Sequence, residues 1–182
     1  MIYYISDLHF GHANVIKFDG RPFQSVEEMD KTLIDYWNAR VTDNDDIYII
    51  GDLCYRSSKN PDWYLRQLKG KKHLVLGNHD GTISKNVNYR KFFVEVDNML
   101  YIKDKFGDTE VGIHLCHYPL VEWNSYFRGS WHIYGHIHNS KNEAYEIMRY
   151  KDKALNAGCM INNYMPVLFT ELVSNNMIYR NK

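Results

Sequence analysis

Three short, largely apolar segments limit the fold of this chain more than any other feature: Met1 to Ser6, Ile47 to Ile50 and His73 to Leu76. They do not alternate apolar with polar residues. A strand with apolar side chains on both faces belongs in a sheet covered on both sides. Between them lie stretches with helical spacing. Ser25 reads as an N-cap with Glu28 completing a capping box, and Val26, Met29, Leu33, Ile34 and Trp37 recur at helical intervals to about Arg40. Asn60-Pro61 starts a second helix carrying Trp63, Tyr64, Leu65 and Leu68, with Gly70 as its stop. The order β-α-β-α-β implies parallel strands joined by crossover helices.

The second half reads differently. Phe92 to Val96, Leu100 to Ile102, Val111 to Cys116, Ile133-Tyr134, Val167 to Leu172 and Met177 to Tyr179 are short strand candidates. Pro119 to Phe127 has room for one short helix, and Ser174-Asn175-Asn176 reads as a hairpin turn. The expected class is α/β with α+β character in the C-terminal half. Two mixed sheets packed face to face, with helices outside, accommodate both halves.

Composition sets outer bounds. A chain of 182 residues, 45% hydrophobic and 24% charged, fits one globular domain spanning 1–182. Twenty-two Lys and Arg balance 22 Asp and Glu, so no global field draws the chain to nucleic acid or an anionic membrane. A local basic groove is compatible with that balance. Cys54, Cys116 and Cys159 are odd in number and widely spaced, which suits a reducing compartment rather than a disulfide framework. No apolar run approaches the ~18 residues of a membrane helix, and the first segment is too short for a signal-peptide core. The expectation is a cytoplasmic protein without a membrane partner. Oligomeric state is not legible.

Polar residues gather where the strands end. The ends carry Asp7-Leu8-His9, Gly51-Asp52, Gly77-Asn78-His79-Asp80, Cys116-His117 and Gly135-His136-Ile137-His138. In an open α/β sheet the carboxyl ends of strands line one crevice, so five separate segments can converge. Carboxylate, imidazole and amide oxygen suit Mn, Fe, Zn, Co or Ni better than a thiolate-preferring ion. Each dipeptide alone is a weak signal, because a lone His on a strand is usually structural and Gly-Asp is a common turn. The ordered set is specific.

That ordered set, from Asp7 to His138, resembles the calcineurin-like metallophosphoesterase superfamily. The resemblance implies a two-sheet sandwich and two divalent transition-metal ions, with Mn the first expectation. It implies that Asp7, His9 and His138 hold one ion, that Asn78, His117 and His136 hold the other, and that Asp52 bridges both. A hydroxide between the ions would attack phosphorus in line, and His79 would protonate the leaving group as general acid. Asp80 is expected to orient its loop rather than ligate.

Departures narrow the resemblance. Ser/Thr protein phosphatases resemble Gly-Asp-x-x-Asp-Arg-Gly, whereas this chain has Tyr55 at the second Asp and then Arg56 and Ser57. The stretch Asp7 to Ile16, followed by Arg21-Pro22-Phe23, resembles a branch of small bacterial and phage phosphoesterases. His12, Asn14, Arg21 and Arg56 are candidate substrate contacts there. The expected substrates are small phosphodiesters, with nucleic-acid ends as a further class. The competing reading is a non-catalytic scaffold acting through protein interactions, against which stands the retention of His79. His73, His114 and His132 have no motif partner and read as structural. Trp37 and Trp63 read as core, and Asn156-Ala157-Gly158 as a plain loop rather than the turn behind a site that its small residues would also suit.

Overall fold

In a computed structural model, which describes residues 1–181, the three apolar segments are adjacent parallel strands. They are β1 (Ile2–Ile5), β2 (Asp46–Ile50) and β3 (Lys71–Val75), with Ile5 opposite Ile49 and Ile49 opposite Leu74. β4 (Phe93–Asp97), reached through the short helices α4 (Gly81–Lys85) and α5 (Val87–Arg90), adds in parallel on β3. The other edge is closed by the two-residue β9 (Val167–Leu168), antiparallel to β1.

The alternation of side chains along these strands explains why they are apolar throughout. Tyr3, Ile5, Ile47, Ile49 and Leu74 pack with Met29, Leu33 and Trp37 of α2 (Val26–Arg40) and with Tyr64 and Leu65 of α3 (Pro61–Leu65). Tyr4, Tyr48, Ile50 and Val75 point the other way, onto Ile113, Leu115, Trp131, Ile133 and Leu155 of a second sheet. That sheet runs in the order β5 (Met99–Phe106), β6 (Thr109–Cys116), β7 (Trp131–Tyr134), β8 (Ala154–Asn156). β5 and β6 form an antiparallel hairpin, while β6, β7 and β8 are parallel. Its outer face buries Tyr134 and Ala154 against Trp123 and against Tyr145 and Met148 of α6 (Glu143–Met148). The result is the expected four layers, helix, sheet, sheet, helix. No helix of the described residues is long and apolar enough to cross a membrane.

Local signals hold in part. Ser25 Oγ accepts the Glu28 N–H at 3.1 Å, but the Glu28 carboxylate reaches the Gln24 N–H rather than that of Ser25. α3 ends at Leu65, so Gly70 serves the turn into β3 rather than the helix itself. Trp37 is fully buried, but Trp63 is 41% exposed and is not a core residue.

The C-terminus corrects the reading from sequence. There is no hairpin around Ser174-Asn175-Asn176, and the strands expected at Val167 to Leu172 and Met177 to Tyr179 reduce to β9 followed by α7 (Phe169–Arg180). The Glu171 carboxylate accepts the Leu168 N–H and caps that helix. Phe169, Leu172 and Asn176 are buried at helical spacing. Asn176 accepts the Asn156 N–H and donates to the carbonyls of Asn156 and Leu172. A buried polar strut inside a helix carries the same letters as a turn, and short apolar runs do not separate strand from buried helix.

Candidate metal centre

β1, β2, β3, β6 and β7 all end at one edge of the sandwich, and their end residues interlock before any side chain is considered. The N–H groups of Asp7 and His9 donate to the carbonyls of Gly51 and Asp52, and that of Gly135 donates to His117. The backbone N–H of His136 donates to both oxygens of Asp7 at 3.1 and 3.2 Å, tying the second sheet to the first. Five of the seven expected donors, Asp7, His9, Asp52, His136 and His138, have left-handed backbone, with φ of 56°, 53°, 56°, 70° and 54°. Such conformations cost of order 1–3 kcal/mol each in non-glycine residues and persist where the surroundings enforce them.

Two glycines make room for this. A Cβ on Gly77 would stand 2.3 Å from Asp52 Oδ1 and 2.6 Å from its backbone nitrogen. A Cβ on Gly135 would stand 2.5 Å from Ser6 Oγ and 2.7 Å from Asp7 Oδ2. The motif glycines are therefore spaces through which the carboxylates approach.

The donor atoms converge in two groups. His9 Nε2 lies 3.1 Å from His138 Nε2, and His138 Nε2 lies 3.6 Å from Asp7 Oδ1. With Asp52, these residues place one donor atom each within 4.8 Å of one another. On the other side, Asn78 Oδ1 lies 3.1 Å from His117 Nε2 and 3.0 Å from His136 Nδ1. Asp52 Oδ2 sits between the groups, 3.5 Å from His9 Nε2 and 3.6 Å from His117 Nε2.

The chemistry of this set fits cations. His117 Nδ1 is 2.8 Å from the Ile50 carbonyl, which only accepts, so that nitrogen carries the proton and Nε2 presents a lone pair. His138 Nδ1 likewise faces Asp19 Oδ1 at 2.7 Å, leaving its Nε2 lone pair toward His9. Nitrogen and carboxylate lone pairs thus crowd one buried spot, an arrangement a cation satisfies. Burial pushes the Asp52 carboxyl above its ordinary range, against the pull of His117, and the Asp7 charge adds to the rise. Burial and the neighbouring His138 hold His9 neutral, the form that ligates. Burial opposes charge on His138 too, but its hydrogen bond to Asp19 and the Asp7 charge outweigh that and raise its pKa.

Asp80 behaves as expected of a loop-orienting residue. Its carboxylate accepts the N–H groups of Asp52, Leu53 and Gly77 at 2.8, 3.0 and 2.8 Å. His79 donates its backbone N–H to Asp52 Oδ1, and its Nε2 lies 3.9 Å from Asp52 Oδ2. The His79 ring packs on Tyr55 with centroids 3.8 Å apart, so an aromatic face occupies the place of the missing carboxylate.

Three of the four expected substrate contacts border the site. His12, Asn14 and Arg56 line a cavity of about 370 Å³ over His9, Asp52, His79 and His138. Arg21 does not. Its side chain is wholly buried and donates to the carbonyls of Leu8 and Asp7 and to Asp19 Oδ2, so it braces the site from behind. Its five donors meet Asp7, Leu8, Asp19 and the Met29 sulfur of α2, leaving none for a ligand.

Sequence reasoning missed Asp19 and Asn156. Asp19 orients His138 from the turn after α1 (Ala13–Phe18), a segment with no strand-end signature. Asn156, the last residue of β8, donates to the His138 carbonyl. Its segment therefore supports the site rather than being a plain loop. Cys159 is buried and donates its S–H to the Asp7 carbonyl at 3.3 Å, a backing contact rather than a ligand.

A sequence model of the family described as calcineurin-like phosphoesterase matches residues 1–140. An uncharacterized protein of Methanocaldococcus jannaschii is 36% identical over 98% of this chain and 94% of its own length. The gene 66 protein of Mycobacterium phage L5 is 30% identical over 75% of this chain and 77% of its own length. A solved protein of unknown function from Aquifex aeolicus superposes with a TM-score of 0.67 at 24% identity, covering 92% of this chain and 94% of that one, and it shares the fold. With a family match across most of its length, strand-end donors included, this chain belongs to the calcineurin-like phosphoesterase family.

Proposed function

We propose that the chain is a binuclear metal-dependent phosphoesterase that hydrolyses small phosphodiesters. The observation that carries this is the place of Asp52 Oδ2, about equally far from His9 Nε2 in one donor group and His117 Nε2 in the other. A carboxylate so placed would join the two neighbouring donor groups into one two-ion site. Asp7, His9, His138 and Asp52 would hold the first ion, and Asn78, His117, His136 and Asp52 the second. Divalent cations, Mn foremost, supply Lewis-acid stabilisation of phosphoryl charge and an acidified water.

The chain's own residues do the rest. Ile50 and Asp19 fix the tautomers of His117 and His138, so their Nε2 atoms face inward. The tie from His79 N–H to Asp52 Oδ1 sets the His79 ring at the cavity wall, where its imidazole can give a proton to a departing alkoxide. His12 and Arg56 line the same cavity and present hydrogen-bond donors to phosphoryl oxygens.

The test is metal content with turnover of bis-aryl and mono-aryl phosphates after Mn loading. Two ions per chain and faster hydrolysis of the diester support the reading. Fewer than two ions at saturation, with no ester turned over, sinks it and leaves a metal-poor scaffold.

A further inference from the structure

The metal cleft is not closed on the Arg56 side. Tyr55, Arg56, Asn78 and His79 also line a second cavity of about 870 Å³, so the two spaces adjoin along these residues and together outline a channel. Lys59 and Lys85 line the second cavity but not the metal cleft. Arg56, Lys59 and Lys85 line this second cavity, no Asp or Glu does, and this in a chain whose charges otherwise balance. None of the three pairs with a carboxylate among the described residues, although other cations of the chain, such as Arg40 and Lys103, do.

Two of these cations are held in place by aromatic rings. The Arg56 guanidinium lies 5.1 Å from the Tyr55 ring centre, and Tyr55 in turn packs on His79. Arg56 has left-handed backbone, φ 49°, as an enforced position does. The Lys59 ammonium lies 3.5 Å from the ring centre of Trp63, itself 41% exposed. Phe18, which lines the metal cleft, is 75% exposed. Unpaired cations along adjoining cavities that also carry the rings of Tyr55 and Phe18 match a strand of phosphates and bases.

Resting on the phosphoesterase reading, we propose that this channel is a subsite for the phosphates next to the scissile one, and that it extends the substrate range from small diesters to single-stranded oligonucleotides, which it favours. The scissile phosphate lies at the metal centre under His79. The neighbouring phosphates run past Arg56 to Lys59 and Lys85.

The experiment compares the whole protein with the Lys59→Gln/Lys85→Gln double variant in two readouts. In chelator, anisotropy of a labelled dodecanucleotide is followed from about 50 to 200 mM salt, with a dinucleotide and a phosphoserine peptide as competitors. Two lost contacts flatten the log–log salt slope by about 1.4 and weaken low-salt binding about tenfold or more. With Mn, the ratio of kcat/KM for the dodecanucleotide to that for a bis-aryl phosphate falls about tenfold. An unchanged slope and ratio overturns the subsite, as does a dinucleotide or phosphopeptide that competes as well as the dodecanucleotide. Lysine-dependent oligonucleotide binding with fewer than two ions bound, and neither the oligonucleotide nor the bis-aryl phosphate turned over, sinks the phosphoesterase reading and overturns the subsite with it, whereas turnover with an unchanged slope and ratio overturns the subsite alone. The two failures are therefore distinguishable.

Discussion

Asp19 Oδ1 lies 2.7 Å from Nδ1 of His138, and the other Asp19 oxygen is gripped by the buried Arg21 guanidinium. The carboxylate fixes the imidazole tautomer and raises its basicity toward whatever Nε2 binds. Asp19→Asn keeps an acceptor but removes the charge. Metal affinity, read by competition with a chromogenic chelator, is expected to fall about tenfold. Unchanged affinity would show that His138 needs no carboxylate behind it.

Gly77→Ala tests whether the motif glycines serve as approach space. The added Cβ meets the backbone nitrogen of Asp52, which cannot swing aside. The variant should lose about 1–3 kcal/mol in urea unfolding and bind less metal at saturation. Gly81→Ala is the control, because a Cβ there meets nothing within 4 Å.

His79 separates proton donation from mere proximity to the cations. His79→Ala should retain its metal, since the tie to Asp52 is through the backbone N–H, which survives the substitution. Its activity on an alkyl ester should fall about a hundredfold, and far less on a nitrophenyl ester whose leaving group needs no proton. Equal losses on both would falsify the general-acid role.

His132 predicts an acid sensitivity away from the metal centre. It is fully buried, donates Nδ1–H to the His114 carbonyl and accepts the Leu120 N–H at Nε2, and burial pulls its pKa down to about 4. A folded pKa below the unfolded value of about 6.5 means the unfolded chain takes the proton first. The stabilisation is complete above pH 6.5 and is lost as pH falls from there through 4. At pH 5 the loss is about 2 kcal/mol. In chelator, His132→Gln should lose less stability than the natural chain between pH 7 and 5; parallel profiles would reject this.

Much of the architecture was legible because its signals are local. A strand such as Ile47 to Ile50, apolar on both faces, belongs between two layers wherever it sits. The helix from Val26 announces its buried stripe by spacing alone. α7 was not legible, because its buried positions include Asn176, whose polarity is answered only by the backbone of Asn156 across the fold. Trp63 was misplaced for a related reason: helical spacing names a face, not what covers it.

By itself the sequence determined which residue types stand at the five strand ends, and so which donors were on offer. Their order along the chain and the apolar runs before them are local facts. The tertiary structure alone decided what supports those donors. Asp19 reaches His138 across 119 positions, Arg21 turned inward rather than toward a ligand, and Asn156 holds the His138 carbonyl. Hydrogen bonds of that kind depend on where separate loops land once the sheets have packed, and no spacing along the chain encodes them.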